Sequence, residues 1–546
     1  MRKALSLVAA LAAALALLVL LELGLRLAGI GSSSADSKLK YQQVFLPVMQ
    51  PDVAADGRAI LRAVDPRLPY QQVSSPKDPR AQRVYFFGGS AMAGLGFSPN
   101  VTIAREFERI AGPCMAPNRA LEVVNLGTVA LPLKKIRVMV EDVLAHGQPD
   151  LLVVCAGNNE FLELHAQKYA LATASPLDRL VTLVADTNLY RLIRRPPEVD
   201  PQDLVDVHAG LEQNDARVSE DVMIQKVKVS KEEIAAVQDQ YAADLTAIAR
   251  AAREAGVPLV LMTEAVNWEW LGREDLPADW PTELVPGWKV EDGWTDVHGV
   301  LNERIAKAAD DERYQWSYRR ALMRRSIGDK SNIKWARSDF RAALNTDPHL
   351  RRATDDMANH VRRVAANEDT ILFDTITSLM ATAHQGIIGF EYFYDYVHFT
   401  PRGAALVAGA LVRGLVDQGL LPPGCAELSK ANDQAYADPA GPPPPDGLPD
   451  FLTVEEWRGL GLEPARALDR DLWKYNAAVA ELDAHLAEHP DDWRALVYRG
   501  NAAFFRQDGA AEAERDWQRA LELGGDEQAI GRNLELLAAQ ARPKPD

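Results

Sequence analysis

Three short motifs, far apart in the chain, carry residue types that can act together on a carbonyl group. Gly88-Gly89-Ser90 offers a hydroxyl, Gly157-Asn158-Asn159-Glu160 offers side-chain amides, and Asp395-Tyr396-Val397-His398 offers a carboxylate and an imidazole. Acyl transfer to a serine needs a base for the hydroxyl proton, a group that orients the base, and donors for the oxyanion. Each motif alone has a plainer reading: a tight turn, a polar loop, or a helix cap beside a surface histidine. Their order along the chain, and the elements that precede them, give them weight together.

The Gly88 and Gly157 motifs each follow an apolar run that reads as a buried strand, and the Asp395 motif stands just before the last helix. Arg83–Phe87 ends in Gly88-Gly89-Ser90, and Leu121–Val124 runs into Asn125-Leu126-Gly127. Leu151–Cys155 precedes Gly157, and Val257–Met262 and Thr370–Asp374 read as two more strands. Ser230–Gly256 has helical periodicity, and Thr400-Pro401 is a helix start, with Thr as cap and Pro in the first turn. That last helix is expected to run to about Gln418, with Gly419 closing it. Apolar strands alternating with helices predict a parallel sheet covered on both faces, whose sites form at the carboxyl ends of the strands.

This arrangement resembles the SGNH (GDSL-like) hydrolase family over about residues 80–420, with insertions. The resemblance implies a flavodoxin-like three-layer α/β/α sandwich with Ser90 as nucleophile, His398 as base and Asp395 as its orienter. It also implies an oxyanion hole made by the Ser90 N–H and the Asn159 side chain. Two residues between Asp395 and His398 allow one turn to set the carboxylate against Nδ1–H, leaving Nε2 for the serine. The family's Asp before the serine is Gly89 here, and Glu160 stands where the family has Asp. In the family's Asn-x-Gly-x-x-Gly stretch, the last glycine is replaced by Ala130. Its N–H survives that change if φ is negative, so Ala130 is expected as the third donor, with Gly127 as the alternative or as a turn former. Gly157-Asn-Asn-Glu-Phe161 and the Gly-Gly-Ser motif agree with a membrane-anchored bacterial branch of the family that carries helical repeats.

Several other residues are weighed for substrate contact. Asn267 and Trp268 follow a strand and could reach the pocket rim, and Arg351 could meet an acidic substrate; a packed loop and a solvated helix end are the alternatives. The histidines show no metal-ligand spacing, so neither metal nor organic cofactor is expected. The three cysteines lack metal spacing; Cys155 reads as buried, and a Cys114–Cys425 bridge is allowed but not demanded.

At 546 residues the chain must hold more than one folding unit. A formal net charge of −17 argues against a nucleic-acid partner. Arg2 and Lys3 precede an apolar run from Ala4 to Leu21, close to a membrane span in length. A cleaved signal peptide and an uncleaved anchor both begin so; the amphipathic continuation to Leu27 favours the anchor, held in the lipid bilayer. The expected division is an anchor (1–27), a lead-in (28–80), a hydrolase-like domain (81–425) with helical insertions at about 165–230 and 313–365, a Pro-rich linker (426–468) and a tetratricopeptide-like region (469–546). Most of the chain would then lie outside the bacterial cytoplasmic membrane, in the periplasm, as an esterase or O-acyltransferase. O-acetyl groups of an envelope glycan are the first substrate choice and lipid or lysophospholipid esters the second. A non-catalytic scaffold whose repeat-like helices hold a protein partner is the competing class.

Overall fold

The computed structural model describes residues 16–25, 43–173, 187, 189, 224–436 and 482–540, except 55–56, 66, 69–70, 96–101, 116–118, 225, 272–279, 394, 484 and 505–508. The structured body starts with three short antiparallel strands, β1 (Met49–Val53), β2 (Ala59–Ala63) and β3 (Gln72–Ser74). A five-stranded parallel sheet follows, with β4 (Ala81–Gly88), β5 (Ala120–Asn125), β6 (Leu151–Cys155), β7 (Leu259–Met262) and β8 (Ile371–Phe373) in the order β5-β4-β6-β7-β8. All four pairings are parallel, as the apolar strands separated by helices predict.

The helices used below are α1 (Ser90–Ala93), α2 (Ile103–Ala111), α3 (Leu133–His146), α4 (Lys231–Ala255), α5 (Arg313–Ile327), α6 (Lys330–Thr346), α7 (Asp355–Asn367), α8 (Pro401–Asp417), α9 (Gly424–Ala435), α10 (Trp493–Phe504), α11 (Ala510–Glu522) and α12 (Glu527–Gln540). Side chains alternate across the sheet. Val84, Phe86, Val153 and Val260 enter one apolar layer with Phe107 of α2 and Leu411 of α8. Tyr85, Phe87, Leu152 and Leu261 enter the other, with Val140 of α3, Ile248 of α4 and Val361 of α7. Every residue of β4 is buried, and each fully buried Val or Phe contributes about 1.5–3 kcal/mol. The result is an α/β/α sandwich.

Three sequence expectations change. The lead-in contains the β1–β3 sheet, which seals one apolar layer with Val48, Met49, Ala63 and Val73. Arg83, fully buried, ties that sheet to the core by donating to Glu122 Oε2 (2.7 Å), the Gly147 carbonyl (2.9 Å) and the Ser74 carbonyl (2.7 Å). The helical insertion ends before α7, whose Met357, Val361 and Val364 cover the sheet. The core also extends past residue 425: α9 packs on α8, Asn432 Nδ2 donates to the Ala405 carbonyl, and Cys425 is joined to Cys114 across 311 residues.

Helices α5 and α6 form a hairpin with Ala321, Ala336, Phe340 and Ala343 fully buried at its seam. In the C-terminal helical region, a β-carbon at Gly500 would stand 2.6 Å from Trp517 Nε1, so the glycine lets α10 and α11 approach. Ala513, Trp517 and Ala520 are buried in the same small core. The Pro-rich segment and most of the expected insertion at about 165–230 lie outside the described residues. Of the expected anchor, 16–25 is helical and the remainder lies outside them. Among the described residues no helix is long and apolar enough to cross a membrane.

Candidate active site

The register Gly88↔Cys155↔Met262↔Phe373 aligns the carboxyl ends of four strands, and the three motifs meet just beyond them. Gly89 caps α1, and Ser90 is its first residue. Ser90 Oγ lies 2.7 Å from His398 Nε2, although the two are separated by 308 positions. On the other side of the ring, His398 Nδ1 is hydrogen-bonded to Asp395 Oδ2. Asp395 is fully buried, His398 is 3% exposed and Ser90 7%. The second carboxylate oxygen, Oδ1, accepts the N–H groups of Val397 (2.7 Å) and His398 (2.6 Å), so one turn locks both acid and imidazole.

The turn is held from outside by Asn267. Its backbone N–H donates to the Tyr396 carbonyl (3.0 Å), its Nδ2 to the Asp395 carbonyl (2.9 Å), and its Oδ1 accepts the Glu269 N–H (2.9 Å). Asn267 is fully buried and Trp268 is 3% exposed, so neither forms the expected pocket rim. The loop after β7 folds inward because these polar groups find partners in the 388–396 segment. Arg351 is also buried, its guanidinium 4.2 Å from the centre of the Tyr396 ring, and that ring stands edge-on to His398. Arg352 donates through Nη1 to the carbonyls of Asn267 (3.1 Å) and Trp270 (2.9 Å). The basic pair is therefore packed beside the histidine turn, in place of a solvated helix end.

Asn159 reaches the serine turn. Its Nδ2 donates to the Leu131 carbonyl at 3.2 Å, and a β-carbon on Gly89 would fall 2.2 Å from the same nitrogen. An amide nitrogen carries two hydrogens, so Nδ2 holds the loop and still has one to offer. The missing Asp before the serine has a steric basis: no side chain fits there.

The second motif departs from expectation. Gly127 N–H donates to Asn125 Oδ1 (2.9 Å), while Asn125 Nδ2 donates to the Met92 carbonyl (2.9 Å). The Gly127 amide is thus engaged, and the residue is a turn former: a β-carbon would stand 2.4 Å from Ala93 N. Ala130 has φ +60°, so the negative φ assumed for it is absent.

Three features were not read from the sequence. Asn158 accepts the Ala353 N–H (2.9 Å) and docks the segment that follows α6. Glu160 accepts the Leu133 N–H (2.8 Å), and burial pushes its carboxyl up to about 7 against that hydrogen bond. Burial, with Glu160 nearby, pushes Glu264 up to about 8. Polar residues in a loop between strands give no signal of such burial. Among the described residues no group of His, Cys, Asp and Glu is arranged to hold a metal.

No family model matches the chain, and no curated protein matches it. Solved structures that align with it include the acetylxylan esterase Axe2 from Geobacillus stearothermophilus, 13% identical with TM-score 0.28, covering 61% of this chain and 94% of that one. Another is LAE5, an alpha/beta hydrolase enzyme from the metagenome of Lake Arreo, 11% identical with TM-score 0.29, covering 62% and 96%. A third is a putative GDSL-like lipase from Parabacteroides merdae, 12% identical with TM-score 0.30, covering 62% and 96%.

Proposed function

We propose that this chain is an SGNH-type serine hydrolase of ester bonds, with Ser90, His398 and Asp395 as its catalytic triad. The observation that carries the reading is the buried chain of hydrogen bonds from Ser90 Oγ through His398 to Asp395. His398 Nε2 takes the hydroxyl proton as Oγ attacks the ester carbonyl. Asp395 keeps the imidazole in the correct tautomer and stabilises the imidazolium. The oxyanion is met by the Ser90 N–H, at the start of α1, and by Asn159 Nδ2. The imidazolium returns its proton to the departing alkoxide, leaving an acyl-serine. Water, or a sugar hydroxyl in the transferase variant, is then deprotonated by His398, attacks the acyl carbonyl and releases Ser90.

The enzyme acts outside the cytoplasmic membrane in this proposal. The Cys114–Cys425 disulfide supports an oxidising compartment. The exposed apolar side chains Leu17, Leu18, Leu20 and Leu21 support attachment to a bilayer. O-acetyl groups on envelope carbohydrate are the proposed substrate, and the repeat-like helical hairpins the proposed docking elements for a protein partner. Labelling with a fluorophosphonate, followed by a screen of acetylated glycans against long-chain acyl esters, tests this. Ser90-dependent labelling and acetate release are expected. A folded, unlabelled protein would leave the scaffold reading, and a preference for long acyl chains would replace the carbohydrate with a lipid ester.

A further inference from the structure

The eight residues Asp347–Thr354, between α6 and α7, form neither helix nor strand, yet all but His349 are buried. A buried loop must find partners for its backbone groups inside the protein. The Pro348 carbonyl accepts the Val229 N–H (2.8 Å), and the Leu350 carbonyl accepts from His165 Nε2 (2.7 Å). The Ala353 N–H donates to Asn158 Oδ1 (2.9 Å). Gly157 makes that approach possible: at φ +152°, a β-carbon there would stand 3.2 Å from the Ala353 β-carbon.

The end of this segment touches both halves of the site. Arg352, 2% exposed, brings Nη1 to the carbonyls of Trp270 (2.9 Å), Asn267 (3.1 Å) and Tyr396 (3.5 Å). Tyr396 lies inside the Asp395–His398 turn, and its ring carries the Arg351 guanidinium. One residue later, Ala353 holds Asn158, whose neighbour Asn159 bears the proposed oxyanion amide. Asn159 in turn holds the Leu131 carbonyl and lies against Gly89, beside Ser90. Consecutive α-carbons are fixed about 3.8 Å apart, so one peptide step sets the spacing between the base turn and the oxyanion loop. Burying a cation is costly, and a charged donor bonds roughly twice as strongly as a neutral one. Such a donor suits a joint that must not yield.

We infer that Arg352 is a positioning residue. Together with Ala353 it is a rigid link, supplied by the chain that leaves the α5–α6 hairpin, which keeps the His398 turn and the Asn159 loop in register around Ser90. The effect on turnover rests on the esterase reading; the link itself does not.

Arg352→Met cuts the link at the base turn, and Asn158→Ala cuts it at the oxyanion loop. Each is expected to lower kcat on p-nitrophenyl acetate at least about tenfold, with KM within about twofold. The double variant is expected to lose no more than about threefold beyond the worse single variant, because either cut frees the link; two unrelated packing defects would instead multiply. Circular-dichroism melts establish that folded proteins are compared. Asn158→Ala, which removes one neutral hydrogen bond, decides the matter should Arg352→Met not fold. A second measurement needs no turnover. In Ser90→Ala protein, the proton held between His398 Nδ1 and Asp395 is expected to resonate downfield of the backbone amides, and both substitutions should shift or broaden that signal. Parental kcat in either variant, a loss carried by KM, multiplied losses in the double variant, or an unmoved resonance would each overturn the proposal. A parent that no fluorophosphonate labels would remove the esterase reading alone, and the resonance would still decide the link.

Discussion

Gly89 and Asn159 share one space: a β-carbon on the first would lie 2.2 Å from Nδ2 of the second. The residue before the proposed nucleophile and the proposed oxyanion amide are therefore a matched pair. Asn159→Ala should lower kcat about 10²–10³-fold, the usual cost of one lost oxyanion donor. Gly89→Asp should cost at least as much by displacing the amide. Steady-state rates on p-nitrophenyl acetate check both, and an undiminished Asn159→Ala rate would contradict the assigned role.

Ser90→Ala and His398→Ala should abolish turnover while leaving the thermal transition in place. Asp395→Asn should lower kcat by about 10⁴, by analogy with other triads, because the wrong imidazole tautomer is then favoured. Circular-dichroism melts beside the rate measurements separate chemistry from unfolding.

Asn267 is argued to hold the Asp395–His398 turn without touching substrate. Asn267→Leu should lower kcat with KM within about twofold, and should destabilise by about 1–3 kcal/mol through the unpaired Asp395 carbonyl and Glu269 N–H it leaves. A raised KM with kcat intact would return Asn267 to substrate contact.

Ala130 holds a left-handed backbone, a conformation costing about 1–2 kcal/mol for a residue with a β-carbon. Ala130→Gly relieves that strain and loses one buried methyl worth about 0.8 kcal/mol. Stability should change by less than about 1 kcal/mol and turnover should persist. Ala130→Val, β-branched at positive φ, should impair both. Denaturant titration and kcat/KM distinguish the two.

Glu160 and Glu264 are raised from 4.5 to about 7 and about 8, in both cases chiefly by burial. The folded protein then binds more protons than the unfolded chain between these limits. Their contribution to stability must fall as pH rises from about 4.5 to about 8, and level off above it. Glu264→Gln should flatten that dependence. Melting temperatures at pH 5, 7 and 9 give the slope, and an unchanged slope in the variant would show that Glu264 does not titrate in that window.

The sheet was legible because β4, β6 and β7 are apolar on both faces, and a continuous apolar run has few other fates. The serine and asparagine motifs were legible for the same reason, since each stands at a strand end, and the Asp395–His398 motif was legible from the helix start that follows it. The β1–β3 sheet was not: its strands are five, five and three residues long, with mostly exposed or half-exposed side chains on the outer strands. Helix α9 looked like the start of a linker because its burial depends on α8, far from any local pattern. The burial of Asn267, Trp268 and Arg351 depends on hydrogen bonds and ring contacts with the 388–398 segment. Such partners are chosen by tertiary geometry, and no periodicity marks them. Gly127 shows the same limit: its N–H is engaged by a side chain only two positions earlier, yet a turn and an anion cradle use the same letters.

The Cys114–Cys425 bond makes the body of this protein a covalent ring. Of the proposed triad, Ser90 lies outside the ring, before the clasp, and Asp395 and His398 lie within it. A nick in any loop between the two cysteines would open the ring without releasing a fragment. Such a cut chain should migrate at full size until a thiol is added, so the surface excursions can vary or be clipped while the residues of the proposed triad stay tethered.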